Sequence, residues 1–319
     1  MSDVTFHRGV LRVTVPATSA NLGPGYDCFG LALSLRDEVT VQVAEAGLDI
    51  VVEGEGSGKV RLDDRNLVVK TMDKTFDRLG GRPDGLVVRC ANRIPHGRGL
   101  GSSAAAIVAG IAAARGLVIG GEETLDSHAM LELATEFEGH PDNVAATILG
   151  GFTVSWTDGA DVGAVSIATH ADIVPIAFVP EVELRTATAR GVIPDSIPHA
   201  DATANTARAA LFVHAISREP AHLLTATQDW LHQRYRRSVM TDSLELVDQL
   251  RAEGIPAVVS GAGPTVLALV TGEATAEIVR HSVGDSRPGW RALALSPEAT
   301  GVQAKLDGRY STAGDTPIL

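Results

Sequence analysis

The sequence predicts an α+β chain of two domains, the second of them ferredoxin-like. Three observations carry that expectation. The chain has 319 residues, enough for about two hydrophobic cores. Period-2 and period-3.6 apolar patterns interleave along it. The C-terminal half reads strand, helix, strand, strand, helix, strand, the order of a ferredoxin-like unit. The expected division is residues 1–163, then 164–304, then a polar tail over 305–319.

Composition narrows the function class. The chain is 45% hydrophobic and 21% charged, as a soluble enzyme is. Its formal net charge of −12 argues against a nucleic acid or an anionic membrane as partner. Cys28 and Cys90 stand far apart in no metal-ligand spacing, which suits a reduced, cytoplasmic chain. The first residues have no apolar segment of the signal-peptide kind, and no apolar run reaches the roughly 20 residues that span a bilayer.

The elements follow in order. Val10 to Val15 alternates as a strand, and Pro16 is expected to end it. Ala17 to Gly30 reads as a loop of small and short polar residues, with Asn21 and Asp27 able to converge on a ligand. Leu31 to Leu35, Glu38 to Val43 and Leu48 to Glu53 read as strands. Asn66 is a good N-cap for a helix to Leu79. Gly85 to Cys90 is a strand. A helix over about Thr124–Glu138 places Leu125, Ala129, Met130, Leu133 and Phe137 on one face, with Glu132 and Glu136 at its edge. Asp142 reads as the N-cap of a short helix ending at Gly150. Phe152 to Trp156 and Ile173 to Pro180 are strands. A long helical stretch, broken at Pro220, is expected from Ala202 to Met240 and carries Arg234, Arg236 and Arg237 near its end. Those arginines either complement a helix dipole or clamp an anion. A helix from Asp242, strands at Ala257–Ser260 and Val266–Val270, a helix from Ala274 and a strand at Arg291–Leu295 complete the second unit.

Ile94 to Ala106 organises the rest. It contains Pro95-His96-Gly97-Arg98-Gly99-Leu100-Gly101-Ser102-Ser103 and runs into an apolar helix, Ala104 to Ala114. Three alternate glycines permit left-handed backbone and remove the Cβ atoms that would hold a ligand off. Ser102 or Ser103 can cap the helix, whose unpaired N–H groups and dipole then favour an anion, most plausibly phosphate. The loop lacks the G-K-[ST] ending of a Walker A motif, and its G-x-G-x-G spacing is not the dinucleotide fingerprint.

Three motifs in this order, Pro16-Ala17-Thr18-Ser19-Ala20-Asn21-Leu22-Gly23-Pro24-Gly25-Tyr26-Asp27, Pro95 to Ser103, and Ser260-Gly261-Ala262-Gly263-Pro264-Thr265, resemble those of the GHMP small-molecule kinases over most of the chain. The first motif resembles the branch that phosphorylates homoserine rather than the mevalonate and galactose branches. The resemblance implies a two-domain GHMP kinase fold with a ferredoxin-like C-terminal domain. It also implies ATP and Mg²⁺ as cofactors, L-homoserine as the small-molecule substrate and O-phospho-L-homoserine, an intermediate of threonine biosynthesis, as product. A homodimer is compatible with it, the sequence leaving the oligomeric state open.

The resemblance further implies roles. The Pro95–Ser103 loop would wrap the ATP phosphates, Asn66 would meet the adenine region, and Ser103 (or Ser102) with Glu132 would hold Mg²⁺. Asn21, Asp27, His140, Asp142 and Asn143 would line the homoserine site, Asp142 meeting the amino group. Arg190 and Arg236 (rather than Arg237) would bind the carboxylate, with Thr186 nearby. Asn143 stands where mevalonate-type members carry an aspartate base, and an amide cannot take a proton in that role. The resemblance therefore implies transfer without a dedicated base, with Asn143 orienting the hydroxyl; phosphoryl transfer asks mainly for positioning and electrostatics. Another alcohol as substrate, or a nucleotide sensor without turnover, are the competing readings.

Overall fold

The computed structural model describes residues 4–159 and 161–307. In chain order the elements are β1 (Val10–Ala20), β2 (Phe29–Ala44), β3 (Gly47–Gly54), α1 (Leu67–Arg78), β4 (Gly85–Asn92), α2 (Ser102–Leu117), α3 (Gly121–Thr124), α4 (Ser127–Glu138), α5 (Pro141–Leu149), β5 (Phe152–Asp158) and β6 (Asp161–Ile167). There follow β7 (Ile173–Pro180), α6 (Thr186–Arg190), α7 (His199–Ser217), α8 (Leu223–Ala226), a 3₁₀ segment at Gln233–Val239, α9 (Thr241–Ala252), β8 (Ala257–Val259), β9 (Val266–Thr271), α10 (Glu273–Ser286), β10 (Trp290–Ala294) and β11 (Gln303–Asp307).

Two sheets result. The first joins β11, β1, β2, β4 and β3 in that order, with β5 and β6 extending from β2. The second has the order β10-β7-β9-β8, antiparallel throughout. Numbered within its own unit this is 4-1-3-2, the ferredoxin-like arrangement expected from the element order.

Helix α2 lies at the centre of the first unit. Its side chains from Ala104 to Leu117 are nearly all buried, and apolar residues surround it on every side. Such a helix has no solvent face and must be enclosed. Small residues let its neighbours come close: a Cβ at Gly110 would meet Thr71 Oγ1 of α1 at 2.0 Å. The loop before α2 is thereby fixed to a helix buried at the centre of the first unit.

Several expected boundaries move. Strand β1 does not stop at Pro16; the register shifts between Pro16 and Ala17 and pairing with β2 resumes to Ala20. Proline is tolerated at such a bulge because no ladder hydrogen bond is asked of it there. The first motif is therefore strand up to Ala20, and β2 is one continuous strand rather than two. The helix expected from Thr124 begins at Ser127, where Asp126 accepts a hydrogen bond from Ala129 N at 2.9 Å, and α3 is separate. The helical stretch expected to Met240 does break at Pro220, after α7 ends at Ser217, but it is divided again beyond α8, and Arg236 sits on the separate 3₁₀ segment. The first sheet reaches Ile167, past the expected division at 163. It also takes back the chain's end: β11 pairs with β1 from Gln303 to Asp307, so residues 305–307 are strand rather than tail. Residues 308–319 of the expected tail lie outside the described residues.

Candidate active site

The glycine loop takes the conformation its composition predicts. Gly97, Gly99 and Gly101 have φ of 65°, 80° and 71°. Two of them are also crowded. A Cβ on Gly99 would meet Ser260 O at 2.2 Å, and one on Gly101 would meet Thr18 Oγ1 at 1.9 Å. Gly101 itself is the N-cap of α2, with no side-chain cap, and Ser102 and Ser103 form the first turn. The first hydrogen bond of the helix runs from Ala105 N to Gly101 O. The N–H groups of Ser102, Ser103 and Ala104 therefore have no carbonyl within the helix. The expected serine cap is corrected: a capping side chain would have occupied the donors that an anion needs.

Two cavities open on this helix end. The larger, about 540 Å³, is lined by Gly97, Gly99, Gly101, Ser102 and Ser103 on one side. Its other walls carry Asn21, Glu138, His140, Asp142, Asn143, Thr186, Arg190, Arg236 and the Gly261–Gly263 loop. The second, about 460 Å³, shares Ser102 and Ser103 and continues past Asn66, His96, Asn92 and Ala106 between α1, α2 and β4. A helix N-terminus standing between a mostly apolar cleft and a polar, oppositely charged chamber suits a nucleoside phosphate whose terminal phosphoryl group points at a small zwitterion.

In the polar chamber the charges are arranged in pairs. His140 caps α5 by position, and its Nδ1 lies 2.7 Å from Asp142 Oδ1. Burial alone would lower the His140 pKa; the hydrogen bond and charge of Asp142 outweigh it and raise it. Asp142 also accepts from Asn143 N at 2.7 Å. Arg190 donates to both carboxylate oxygens of Asp27 and to Tyr26 Oη. Arg236 is almost wholly buried, donates to Ala189 O and Gly261 O, and stands 5.7 Å from the Tyr26 ring centre. Asn21 holds a positive φ of 68° while its amide bridges Gly261 O and Asp27 N, which ties the first motif to the third.

The amide of Asn143 has a defined direction. Thr18, fully buried on the continued part of β1, donates its hydroxyl to Asn143 Oδ1 at 2.8 Å. The acceptor end of the amide is thereby used, and the Nδ2 end, which makes one long contact of 3.5 Å to Asp142 Oδ1, has a second hydrogen to offer a ligand. Thr18 was legible only as part of the first motif; its role depends on the strand continuing past Pro16.

Several expected site residues are placed differently. Glu132 does not face the loop. It lies 3.6 Å from His128 Nε2, the same ring nitrogen that Asp161 approaches at 3.5 Å. The carboxylate at the α2 N-terminus is Glu138, which accepts from Ser103 Oγ at 2.7 Å. Burial pushes the Glu138 pKa up, against the pull of the Ser103 hydrogen bond. Six residues at 100° each turn the helix by 240° net, so Glu132 and Glu138 cannot share a face. Arg98 also turns away: Nε donates to Pro180 O at 2.9 Å, Nη1 to His96 O at 2.7 Å and Nη2 to Glu181 O at 2.6 Å. It staples the loop to the end of β7. Pro95 and Leu100 are buried and line neither cavity. Asn66 lines the second cavity, but its amide is engaged by Val68 N and Arg61 O, so it shapes the wall. Asp27 stands behind Arg190 rather than among the lining residues. Of the clustered arginines, Arg236 turns inward while Arg237 pairs with Asp248 and Arg234 with Asp201 at the surface.

Ser103 and Glu138 offer a hydroxyl and a carboxylate oxygen in contact, beside unpaired helix N–H groups. Hard oxygen donors of this kind, few in number, suit Mg²⁺ held jointly with phosphates.

The raised pKa of His140 has a readable consequence. Its proton persists above the ordinary histidine value of about 6.5 and neutralises Asp142. As pH rises through the raised value the proton leaves and Asp142 is freed for a cationic group. The KM of an amino-acid substrate should therefore fall as pH rises through that titration, and His140→Asn should flatten the profile. The stability that this pair contributes has the opposite course: full below the unfolded histidine pKa, lost as pH rises through the folded one.

Comparison with known proteins gives the family. The GHMP kinases N terminal domain matches residues 66–151, and the GHMP kinases C terminal domain matches residues 212–287. A homoserine kinase of Streptomyces avermitilis is 56% identical over 94% of this chain and 97% of its own. That of Streptomyces coelicolor is 52% identical over 99% of this chain and 100% of its own. Among solved structures, a putative homoserine kinase from Listeria monocytogenes superposes with a TM-score of 0.76 at 31% identity, covering 93% of this chain and all of that one. Among the described residues no helix is long and apolar enough to cross a membrane. The chain is a kinase and belongs to the homoserine kinases of the GHMP family.

Proposed function

We propose that this chain transfers the γ-phosphoryl group of ATP to the δ-hydroxyl of L-homoserine, giving O-phospho-L-homoserine and ADP, a step of threonine biosynthesis. The observation that carries the reading is a single chamber. The phosphate-type loop and helix N-terminus form one wall, and a carboxylate, an amide and two arginines form the others. The naming of relatives more than half identical supports the same substrate.

Each group then has a task. Arg190 and Arg236 bind the substrate carboxylate, and Asp142 meets its ammonium group. The N–H groups at the start of α2 and the Gly97–Gly101 backbone receive the phosphates. Ser103 and Glu138 hold Mg²⁺, which supplies neutralisation of phosphate charge when bound. Asn143 donates Nδ2–H to the δ-oxygen. This leaves the hydroxyl proton free to point at the phosphoryl group rather than at the protein. The new bond joins the δ-oxygen to phosphorus, the bond to the ADP oxygen breaks, and the proton passes to a phosphoryl oxygen. No dedicated base is assigned: the amide of Asn143 does not accept a proton, His140 already serves Asp142, and the carboxylates of Asp142 and Glu138 are taken by the ammonium group and the metal. A loose transition state tolerates a late proton.

Phosphorus and proton NMR of the product tests the reading, the expectation being a phosphomonoester coupled to the γ-methylene of homoserine. A product phosphorylated elsewhere would refute it. Arg190→Gln should raise the homoserine KM by about ten- to a hundredfold, since one charge-assisted contact contributes roughly 1.5–3 kcal/mol. The KM for ATP should stay within about twofold.

A further inference from the structure

Arg236 is a long, flexible cation held almost without solvent contact, and one of the groups that hold it lies outside the site. His232, one turn earlier and fully buried, faces it. His232 Nδ1 lies 3.0 Å from Arg236 Nη1, and His232 Nε2 lies 2.9 Å from Gly23 O. A guanidinium only donates and a carbonyl only accepts. The two contacts together demand one state of the ring: neutral, with the proton on Nε2 and a lone pair on Nδ1. The ring also packs on Tyr26, centroids 5.2 Å apart, and Tyr26 in turn sits against Arg236.

We propose that His232 is a positioning residue for substrate recognition, a neutral acceptor that fixes the Arg236 guanidinium for the homoserine carboxylate and ties it to the first motif. This rests on the reading of Arg236 as a carboxylate ligand. A protonated ring would lose the acceptor and set two cations side by side. The groups facing the ring are Arg236, Tyr26, Asp27 and Asp229, whose Oδ2 is 3.6 Å from Nε2. Asp229 is itself engaged by the backbone N–H groups of Leu231, His232 and Gln233. Burial lowers the His232 pKa, in keeping with the neutral ring. His232 thus differs from His140, whose pKa is raised.

The test is a cycle on homoserine KM. His232→Phe keeps a ring against Tyr26 and removes the acceptor. It should raise the homoserine KM by about tenfold or more, the size of one lost hydrogen bond to a charged group, with the ATP KM unchanged. His232→Asn, whose Oδ1 can replace Nδ1 as acceptor, should recover part of the loss. The double variant His232→Phe/Arg236→Gln should be no worse than Arg236→Gln alone. An unchanged KM in folded His232→Phe, or additive effects in the double variant, would overturn the proposal. If Arg236→Gln itself leaves the KM unchanged, the substrate reading fails first and takes this one with it. Imidazole ¹⁵N spectra of the unaltered protein give a check that does not depend on a variant folding. They should show a neutral Nε2–H ring for His232 at neutral pH; an Nδ1–H or cationic ring contradicts the assignment.

Discussion

Glu138→Gln lowers kcat/KM by about a hundredfold or more, while Glu132→Gln leaves it within about twofold. The expectation follows from placement. Glu138 touches Ser103 at the start of α2, where the proposed reading puts the transferring phosphoryl group; Glu132 is on another side of α4, near His128. Removing one preorganised stabiliser of phosphoryl charge typically costs between ten² and ten³ in rate. The effect should shrink as Mg²⁺ is raised, because the glutamine weakens metal binding before it alters chemistry. The raised pKa of Glu138 adds a sign. Mg²⁺ competes with a proton there, so the Mg²⁺ concentration needed for half-activity should rise as pH falls, beginning above the ordinary carboxylate range of about 4.3. In Glu138→Gln that limb should vanish. Titrating Mg²⁺ at several pH values in both variants checks it.

Asn143→Ala should lower kcat by about a hundredfold without adding a steep pH dependence. An amide that orients a hydroxyl contributes by geometry, and loss of near-attack orientation costs about that much. A base contributes through its own titration, so its loss reshapes the pH profile. Thr18→Val keeps the shape of the side chain and removes the donor that fixes the amide. It should lower kcat by about tenfold with homoserine KM little changed, and Thr18→Ser should restore most of the rate. A Thr18→Val enzyme with full activity would show that the amide finds its direction without help. A steep new pH limb in Asn143→Ala would show that the proton is managed by the protein.

Much of the fold was readable because its signals are local. The apolar run of α2 has no polar face, the ferredoxin-like order follows from alternating patterns, and Asn66 caps α1 as its side chain predicts. Gly97, Gly99 and Gly101 adopt positive φ as their spacing suggested. What escaped depends on contacts far apart in sequence. Pro16 looks like a strand end until a bulge absorbs it, and the position of Thr18 beside Asn143 follows only from that. Glu132 sat at the edge of a predicted helical face, but the phase of a helix does not say which end meets a neighbour. The useful signal was position: Glu138 directly precedes the Gly139–Asp142 segment, whose His140 and Asp142 line the same chamber. Arg98 sits within the glycine loop in sequence, yet three backbone carbonyls claim its guanidinium. Strand β11 is five residues of weak pattern, stabilised by pairing with β1.

The most direct measurement is ADP release by the purified protein with Mg²⁺-ATP, comparing L-homoserine with mevalonate, galactose and no acceptor. The predicted result is release that requires homoserine and is lost in Glu138→Gln but kept in Glu132→Gln. Release driven by another alcohol, or ATP binding with no turnover on any acceptor, would contradict the account.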